Sequence, residues 1–106
     1  MDYPTLDKLI HEQSRLKILI FLSKQSPKKT TFTKIKKELK MTSGNLSIQL
    51  KKLEQANWIK QNKIIEKNKV KTYINITNNG INSLNDYLND LEMLLSNIKG
   101  ETNEPN

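Results

Sequence analysis

The spacing of the apolar residues changes twice along the chain, and this succession restricts the fold more than any other feature. In the first half, apolar residues recur at helical intervals of three and four. Val70, Thr72, Ile74 and Ile76 then alternate with more polar neighbours, as in a half-buried strand, and from Ile81 the helical spacing returns. The pattern predicts a mainly α chain (α+β) with a two-stranded β-hairpin between helices.

Capping and turn residues set the boundaries that we expect for these elements. Thr31 and Thr42 are favourable N-caps, whereas Pro27 and Gly100 are typical of helix ends. The stretch 67–69 suits a hairpin turn, since Asn68 tolerates positive φ. The predicted elements are a helix over 5–24, a link over 28–31 with room for one bridge of strand, a helix over 31–39, a helix over 42–56, a hairpin over 58–77, a helix over 78–99 and a disordered tail over 100–106.

The helix over 42–56 has two faces of different chemistry. Leu46, Leu50 and Leu53 lie within about 60° of one another around its axis, so they should pack on the first helix. The opposite face is mostly small, polar or basic and comprises Gly44, Ile48, Lys51 and Gln55, flanked by Asn45, Ser47 and Lys52. Two short helices joined by a tight turn, as predicted here, form a helix-turn-helix.

A helix that enters the major groove of DNA needs small residues near its N-terminus, so that its backbone can approach the duplex closely. Ser43 and Gly44 fall where backbone N–H groups remain available for a phosphate. Asn45 suits a bidentate contact to adenine, and Ile48 suits the methyl group of thymine. Lysines on this helix suit phosphate contacts.

The positive charge is concentrated in the middle of the chain. The net charge is +7, but residues 24–71 alone carry 14 lysines against three glutamates, a net +11, whereas residues 72–106 carry −4. This distribution predicts a polyanionic partner for the middle segment. The candidate DNA-binding residues are Thr33, Ser43, Gly44, Asn45, Ser47, Ile48, Lys51, Lys52, Lys67, Asn68, Lys69 and Lys71.

Each of these candidates also has a plainer interpretation. Ser43 and Asn45 are common as capping residues only, and a single exposed Ile48 is ordinary. The lysines, including Lys34, Lys36, Lys37 and Lys40, are also typical of solvated surface or of a compositional bias of the genome. We expect Trp58 to pack in the core at the base of the hairpin, and we leave the role of Tyr73 open.

The last helix carries a second apolar feature. Ile81, Leu84, Leu88, Leu91, Leu95 and Ile98 recur at alternating steps of three and four, which is the seam of a coiled coil. The seam is long enough to exceed what the first helix can cover, so apolar residues of both helices should remain for a symmetric dimer. The candidate dimerisation residues are Leu6, Leu9, Ile10, Leu84, Leu88, Leu91, Leu94, Leu95 and Ile98.

Three separated motifs carry a resemblance to a known family. The segment 42–54 matches T-x-G-N-L-S-x-x-L-x-x-L-E, residues 14–19 read S-R-L-K-I-L, and Ile76, Thr77 and Gly80 match I-T-x-x-G. Over about residues 12–95 the chain resembles the winged helix-turn-helix transcriptional regulators of the MarR/ArsR-like superfamily, in their small archaeal and bacterial subgroup. It departs from them at Asn57, where Gly is usual, and at a wing tip without Gly or Arg.

This resemblance implies that residues 1–77 form a winged helix-turn-helix domain, with 42–56 as recognition helix and 58–77 as wing, and that 78–99 form a dimerisation helix. We expect a dimeric, sequence-specific regulator that acts as a repressor on a pseudo-palindromic operator of double-stranded DNA. A nonspecific architectural chromatin binder and a winged-helix module for protein or RNA contacts are the alternatives. No residue suggests a small-molecule effector.

Other classes of function find no support in the composition. The chain has no cysteine and one histidine, His11, so we expect no disulfide, metal or cofactor site. It lacks a glycine-rich phosphate loop and a set of catalytic partners for His11, which argues against an enzyme. The start MDYPTLDKL does not resemble a signal peptide, and the longest apolar run, 18–22, is too short to span a bilayer. We therefore expect a cytoplasmic protein.

Overall fold

The computed structural model describes residues 4 and 6–102, with the side chains of 99–102 excepted. Five helices and three strands follow one another along this part of the chain. They are α1 (Lys8–His11), α2 (Gln13–Gln25), β1 (Thr30–Thr31), α3 (Phe32–Leu39), α4 (Ser43–Gln55), β2 (Ile59–Glu66), β3 (Lys69–Ile76) and α5 (Asn78–Thr102). The mainly helical class with a hairpin between helices is confirmed.

The first predicted helix is in fact two helices, because the chain is extended at Glu12 (φ −63°, ψ 127°). The Asp7 carboxylate caps α1 by accepting from the N–H of Leu9 at 2.8 Å, and Glu12 caps α2 by accepting from the N–H of Arg15 at 3.0 Å. The single helix predicted over 5–24 is therefore wrong. A second capping carboxylate within the apolar pattern allows a new helix to begin. Thr5, the predicted start, lies outside the described residues.

Threonines begin both helices of the helix-turn-helix, as predicted. Thr31 Oγ1 accepts from the N–H of Lys34, and Thr42 Oγ1 accepts from the N–H of Asn45, each at 3.1 Å. Between the helices Lys40 adopts a left-handed conformation with φ 52°, and the N–H of Met41 donates to the carbonyl of Lys36. This compact turn sets the angle between α3 and α4.

The hairpin is antiparallel, with Ile59 opposite Ile76 and Glu66 opposite Lys69. Only Lys67 and Asn68 lie between the strands, and both have positive φ (50° and 63°), which defines a two-residue type I′ turn. Lys69, which the sequence placed in the turn, is instead the first residue of β3. A short strand, β1, pairs with the far edge of β3, so the sheet has the order β1-β3-β2 and the hairpin is not alone.

One apolar core joins the helices to the base of the hairpin. Trp58 is buried there, as predicted, and the adjacent Asn57 has φ 62°, a left-handed conformation that glycine adopts most readily and asparagine tolerates. Gly80 brings α5 against this corner, since a Cβ on it would lie 2.7 Å from Cγ1 of Ile76 and overlap the carbonyl of Trp58. The buried apolar residues are Ile10, Ile18, Leu19, Leu22, Ile35, Leu46, Leu50, Leu53, Trp58, Ile59, Ile74, Ile76, Leu84 and Tyr87.

Helix α5 is longer than predicted, because it continues through Gly100 to Thr102. One Gly in a helix costs only about 1 kcal/mol relative to Ala, so it does not by itself end the helix. Residues 103–106 of the predicted tail lie outside the described residues. The molecule is elongated, with extents of 67 × 24 × 22 Å. Helix α5, with 25 residues, spans about 37 Å of this length.

Candidate nucleic-acid interface

Helix α4 turns one face to the core and the other to solvent, as its spacing predicts. Leu46, Leu50 and Leu53 are fully buried, whereas the side chain of Ile48 is 55% exposed. The other outward residues are polar, small or basic and exposed, namely Ser43, Gly44, Asn45, Ser47, Lys51 and Lys52. An exposed apolar residue within such a polar face is a feature of base-reading helices.

The N-terminus of α4 is open to a ligand. The N–H group of Asn45 bonds to the hydroxyl of Thr42 and that of Leu46 to its carbonyl, so in this first turn the N–H groups of Ser43 and Gly44 have no partner among the described hydrogen bonds. No atom outside the local backbone would lie within 4 Å of a Cβ built on Gly44. Packing within the chain therefore does not require glycine at position 44.

Behind the exposed face of α4, hydrogen bonds link the side chains of Arg15, Gln49 and Asn45 into a polar chain. The NH1 of Arg15 donates to Oε1 of Gln49 at 2.9 Å, and Nε2 of Gln49 donates to Oδ1 of Asn45 at 2.9 Å. Arg15 and Gln49 are both only 9% exposed. Neither residue was among the candidate DNA-binding residues predicted from the sequence. The four-residue spacing of Asn45 and Gln49 is a local signal, but nothing local links either residue to Arg15.

Two further partners hold the buried guanidinium of Arg15. Its Nε donates to the carbonyl of Leu9, and its NH1 lies 3.9 Å from Oε2 of Glu12. Burial acts to raise the pKa of the Glu12 carboxyl, but the backbone N–H groups of Arg15 and Ser14 and the charge of Arg15 together hold that pKa below its usual value. The junction of α1 and α2 is thus tied to the back of α4.

The wing presents lysines beside two exposed apolar residues. Lys67, Asn68, Lys69 and Lys71 are all exposed, but Nζ of Lys71 lies 3.5 Å from the Glu66 carboxylate, which also accepts from the Tyr73 hydroxyl at 3.2 Å. Ile65 and Val70 face each other across the strands and are 76% and 66% exposed. The sequence did not single out this pair, because exposed and buried apolar residues of a strand show the same alternation.

Helix α4, helix α3 and the wing meet around shared grooves. The Glu54 carboxylate accepts from the backbone N–H of Gln61 at 3.3 Å and from its side chain at 3.2 Å, which ties α4 to β2. Ser47 lines one groove together with Lys63 and Thr72. Thr33 lines the next groove with Val70, Lys71 and Thr72. One predicted residue from each element, Ser47, Thr33 and Lys71, therefore lines these two neighbouring grooves.

The predicted dimerisation residues fall into three groups by their burial. The protomer itself buries Ile10 completely and leaves Leu84 only 3% exposed, so the expectation that these two remain uncovered is wrong. Ile10 is buried because the break at Glu12 folds α1 back onto the core. By contrast, Leu88, Leu95 and Ile98 are 37%, 46% and 56% exposed. The half-buried candidates are Leu6, Leu9, Leu91 and Leu94.

Within residues 4 and 6–102, no helix is long and apolar enough to cross a membrane. Over the same residues, no group of three or more His, Asp or Glu side chains is placed to hold a metal ion.

Comparison with known proteins gives a consistent assignment. A family model for a winged helix DNA-binding domain matches residues 14–95. An uncharacterised protein of Methanocaldococcus jannaschii is 35% identical over 92 residues, which cover 87% of this chain and 98% of that protein. A transcriptional regulator homologue from Pyrococcus horikoshii OT3 has a TM-score of 0.77 at 29% identity, covering 85% of this chain and 87% of that chain.

A more distant neighbour shares the fold. A cysteine-to-serine mutant of Lactococcus lactis ZitR, solved in complex with DNA, has a TM-score of 0.61 at 20% identity and covers 99% of this chain and 70% of that chain. The predicted winged helix fold is thereby confirmed. Because the family model spans most of its 106 residues, the protein belongs to the winged helix DNA-binding domain family and is a DNA-binding regulator.

Proposed function

We propose that the protein is a homodimeric transcriptional repressor that binds a pseudo-palindromic operator in double-stranded DNA and acts by occluding it. The observation that carries the proposal is the shared side formed by the outward face of α4, Thr33 and the basic wing. A helix with small polar residues beside a lysine-bearing hairpin is complementary to a major groove and the adjacent backbone. In this role the protein acts in the cytoplasm.

Each element has a distinct task in this proposal. Ser43 and Gly44 hold a phosphate through their N–H groups, and Asn45 and Ile48 reach base edges. Lysines on α4 and the wing contact the sugar-phosphate backbone or the minor groove, which supplies affinity rather than sequence preference. The residues assigned to backbone or groove contacts are Thr33, Ser47, Lys51, Lys52, Lys67, Asn68, Lys69 and Lys71.

The dimer in this proposal forms through the second half of α5. Leu88 and Leu95 of one protomer pack on the same residues of the other, and Leu6 and Leu9 close the contact near α1. A two-fold symmetric dimer of this kind would present its two copies of α4 to half-sites about 34 Å apart, which is one turn of DNA. We assign no effector or cofactor to this contact.

Fluorescence anisotropy with two labelled duplexes tests the function. One duplex carries the DNA upstream of the gene for this protein, and the other carries the same bases in scrambled order. We expect binding that weakens steeply between about 50 and 200 mM salt, with a preference of at least about a hundredfold for the upstream DNA.

Other outcomes favour the alternatives. Steep salt dependence without preference for the upstream duplex or for any duplex selected from a random library would identify a nonspecific architectural binder. The absence of duplex binding even at low salt would contradict both DNA-binding functions and favour a winged-helix module for protein or RNA contacts.

A further inference from the structure

We propose that Arg15 and Gln49 fix the side-chain amide of Asn45 so that it presents hydrogen-bond donors, and not acceptors, to the bases. This inference rests on the proposed function, in which Asn45 reaches a base edge. It assigns Arg15 and Gln49 as positioning residues that determine part of the sequence preference without touching DNA.

The direction of donation along the hydrogen bonds from Arg15 to Gln49 to Asn45 is set by Arg15. A guanidinium has five N–H donors and no acceptor, so whichever amide atom of Gln49 faces it must be the oxygen. The distance from NH1 of Arg15 to Oε1 of Gln49 is 2.9 Å. The guanidinium is itself held by the carbonyl of Leu9 and by the nearby carboxylate of Glu12, so it provides a fixed reference.

Each later orientation follows from the one before it. With its oxygen toward Arg15, Gln49 directs its amide nitrogen at Asn45, 2.9 Å from Oδ1. A nitrogen that donates requires an acceptor, so Asn45 must turn its oxygen inward. The Nδ2 group of Asn45 then faces away from Gln49, on the exposed side of α4, and none of the described hydrogen bonds uses it.

Burial makes this orientation costly to reverse. Gln49 and Arg15 are each 9% exposed, so water has little access to replace a lost hydrogen bond. A flip of either amide would place two donors or two acceptors against each other inside the protein. An asparagine on the same helix without Gln49 behind it would be free to present either atom.

The outward Nδ2 group selects among bases. Guanine offers two acceptors in the major groove, O6 and N7, whereas cytosine offers the donor N4–H₂. The bidentate adenine contact that the sequence suggests needs Oδ1 to face the base and accept from N6–H₂, whereas that oxygen is turned toward Gln49. We therefore expect guanine to be preferred over cytosine by at least about tenfold at the position that Asn45 reads.

The substitution Gln49→Glu should reverse the orientation of the Asn45 amide, although glutamate has almost the same shape as glutamine. A carboxylate has only acceptors, so one oxygen still accepts from Arg15 while the other faces Asn45. Asn45 must then turn its Nδ2 group inward and its oxygen outward. The outward acceptor pairs with N4–H₂ of cytosine or N6–H₂ of adenine, so the preference for guanine should be reversed at this position only.

Selection from a library of random duplexes measures this reversal. The position read by Asn45 is the one whose preference Asn45→Ala abolishes. Gln55→Glu is the matched control, because it adds the same charge to an exposed part of α4 without touching the polar chain. We expect both glutamate variants to bind more weakly, but only Gln49→Glu to exchange guanine for adenine or cytosine at that position. An unchanged preference in folded Gln49→Glu protein would overturn the proposal.

A measurement without DNA separates this proposal from the function on which it rests. In water-exchange NMR of the wild-type protein, the side-chain amide protons of Gln49 should exchange at least about tenfold more slowly than those of Asn45. Protection of Asn45 with free exchange of Gln49 would show the opposite polarity and overturn the inference, whether or not the protein binds DNA. If the amides behave as expected but no duplex is selected, the proposed function fails and the polarity stands. This measurement also remains decisive if Gln49→Glu does not fold.

Discussion

Gly44 and Gly80 both lie in the first turn of a helix, but for different reasons. A Cβ at position 80 would overlap the carbonyl of Trp58, so the corner between the hairpin and α5 requires glycine. A Cβ at position 44 would meet nothing within 4 Å. A helical glycine that packing does not require costs stability, and we attribute its presence to the close approach of a DNA backbone.

The substitution Gly44→Ala should therefore separate stability from binding. Alanine should raise the free energy of unfolding by about 0.5–1 kcal/mol, because it restricts the unfolded chain and favours the helix. Affinity for the preferred duplex should fall by about tenfold, since the added methyl group moves the N–H groups of Ser43 and Gly44 off a phosphate. Urea denaturation and anisotropy measure the two effects on one sample.

Gly80→Ala is the control for this prediction, since the same change should have the opposite effect on stability. The clash with Trp58 and Ile76 should lower the free energy of unfolding by about 1–3 kcal/mol. If Gly44→Ala is more stable and binds the duplex as well as the wild type, the assigned backbone approach is wrong.

At Asn57 and Asn68 the residue type alone already indicates the backbone conformation. Both have positive φ, and asparagine is one of the few residues that tolerates it. Lys40 and Lys67 share this conformation but carry no such signal in their residue type. Their φ is imposed by the turn between α3 and α4 and by the type I′ hairpin.

The wing combines a positively charged surface with one carboxylate, Glu66, that reduces its positive charge. Glu66 lies near Lys71 and accepts a hydrogen bond from Tyr73, so one of the wing lysines is partly neutralised. An exposed ion pair contributes little to stability, typically below about 1 kcal/mol, and this pair is half exposed at both ends. We infer that its main effect is on the charge that the wing offers to DNA.

The substitution Glu66→Gln should consequently strengthen duplex binding. It removes a negative charge next to Lys71, so affinity at low salt should rise by a few-fold and the salt dependence should steepen by about one counterion. Glu92→Gln, on the exposed side of α5 away from the wing, makes the same change in net charge and should have a smaller effect. Equal gains in both variants would mean that only net charge matters.

The junction of α1 and α2 should be sensitive to acid. The pKa of Glu12 is lowered in the folded protein, so this carboxylate contributes stability above its ordinary pKa of 4.5, and that contribution is lost as the pH falls through the lower folded value. Glu12→Gln should lower the melting temperature near neutral pH and narrow its difference from the wild type as the pH falls below about 4.5.

Thermal unfolding followed by circular dichroism at a series of pH values measures this difference. Glu92→Gln, which removes the same charge at an exposed position of α5 outside this junction, should show no such convergence. If the gap between the wild type and Glu12→Gln stays constant from neutral to acidic pH, Glu12 does not hold the junction through its charge.

Viewed whole, the molecule has a packed body and a projecting second half of α5. Leu84 and Tyr87 anchor the helix in the core, and His11 reinforces this through a 2.8 Å hydrogen bond to the Tyr87 hydroxyl. Beyond Leu91 the helix leaves the body with apolar side chains, including the half-exposed Met93. A helix of this kind is typical of a contact between two chains.

Placing lysine at both Leu88 and Leu95 should produce a monomer. Burying two ammonium groups at a symmetric contact is unfavourable, and these side chains are not part of the protomer core. Light scattering should report 12.3 kDa in place of twice that mass, with a large loss of duplex affinity. Ile65→Lys on the wing is the control, because it replaces an exposed apolar residue elsewhere and should leave the mass unchanged. A dimeric mass in the double variant would place the contact on another surface.

The order of the elements, the caps of α3 and α4 and the outward face of α4 could all be predicted from the sequence. These features depend on hydrogen bonds and spacings within three or four residues, which a linear pattern records. The outward position of Ile48 follows from the same spacing, because a helix that buries Leu46 and Leu50 must expose Ile48.

Tertiary contacts decided the rest. The burial of Ile10, the pairing of β1 and the link from Arg15 to Gln49 depend on partners that the chain brings together only on folding. Arg15 and Gln49 are 34 positions apart. No local periodicity encodes which buried donor will meet which acceptor, and for that reason the polarity of Asn45 can be deduced only from the folded protein.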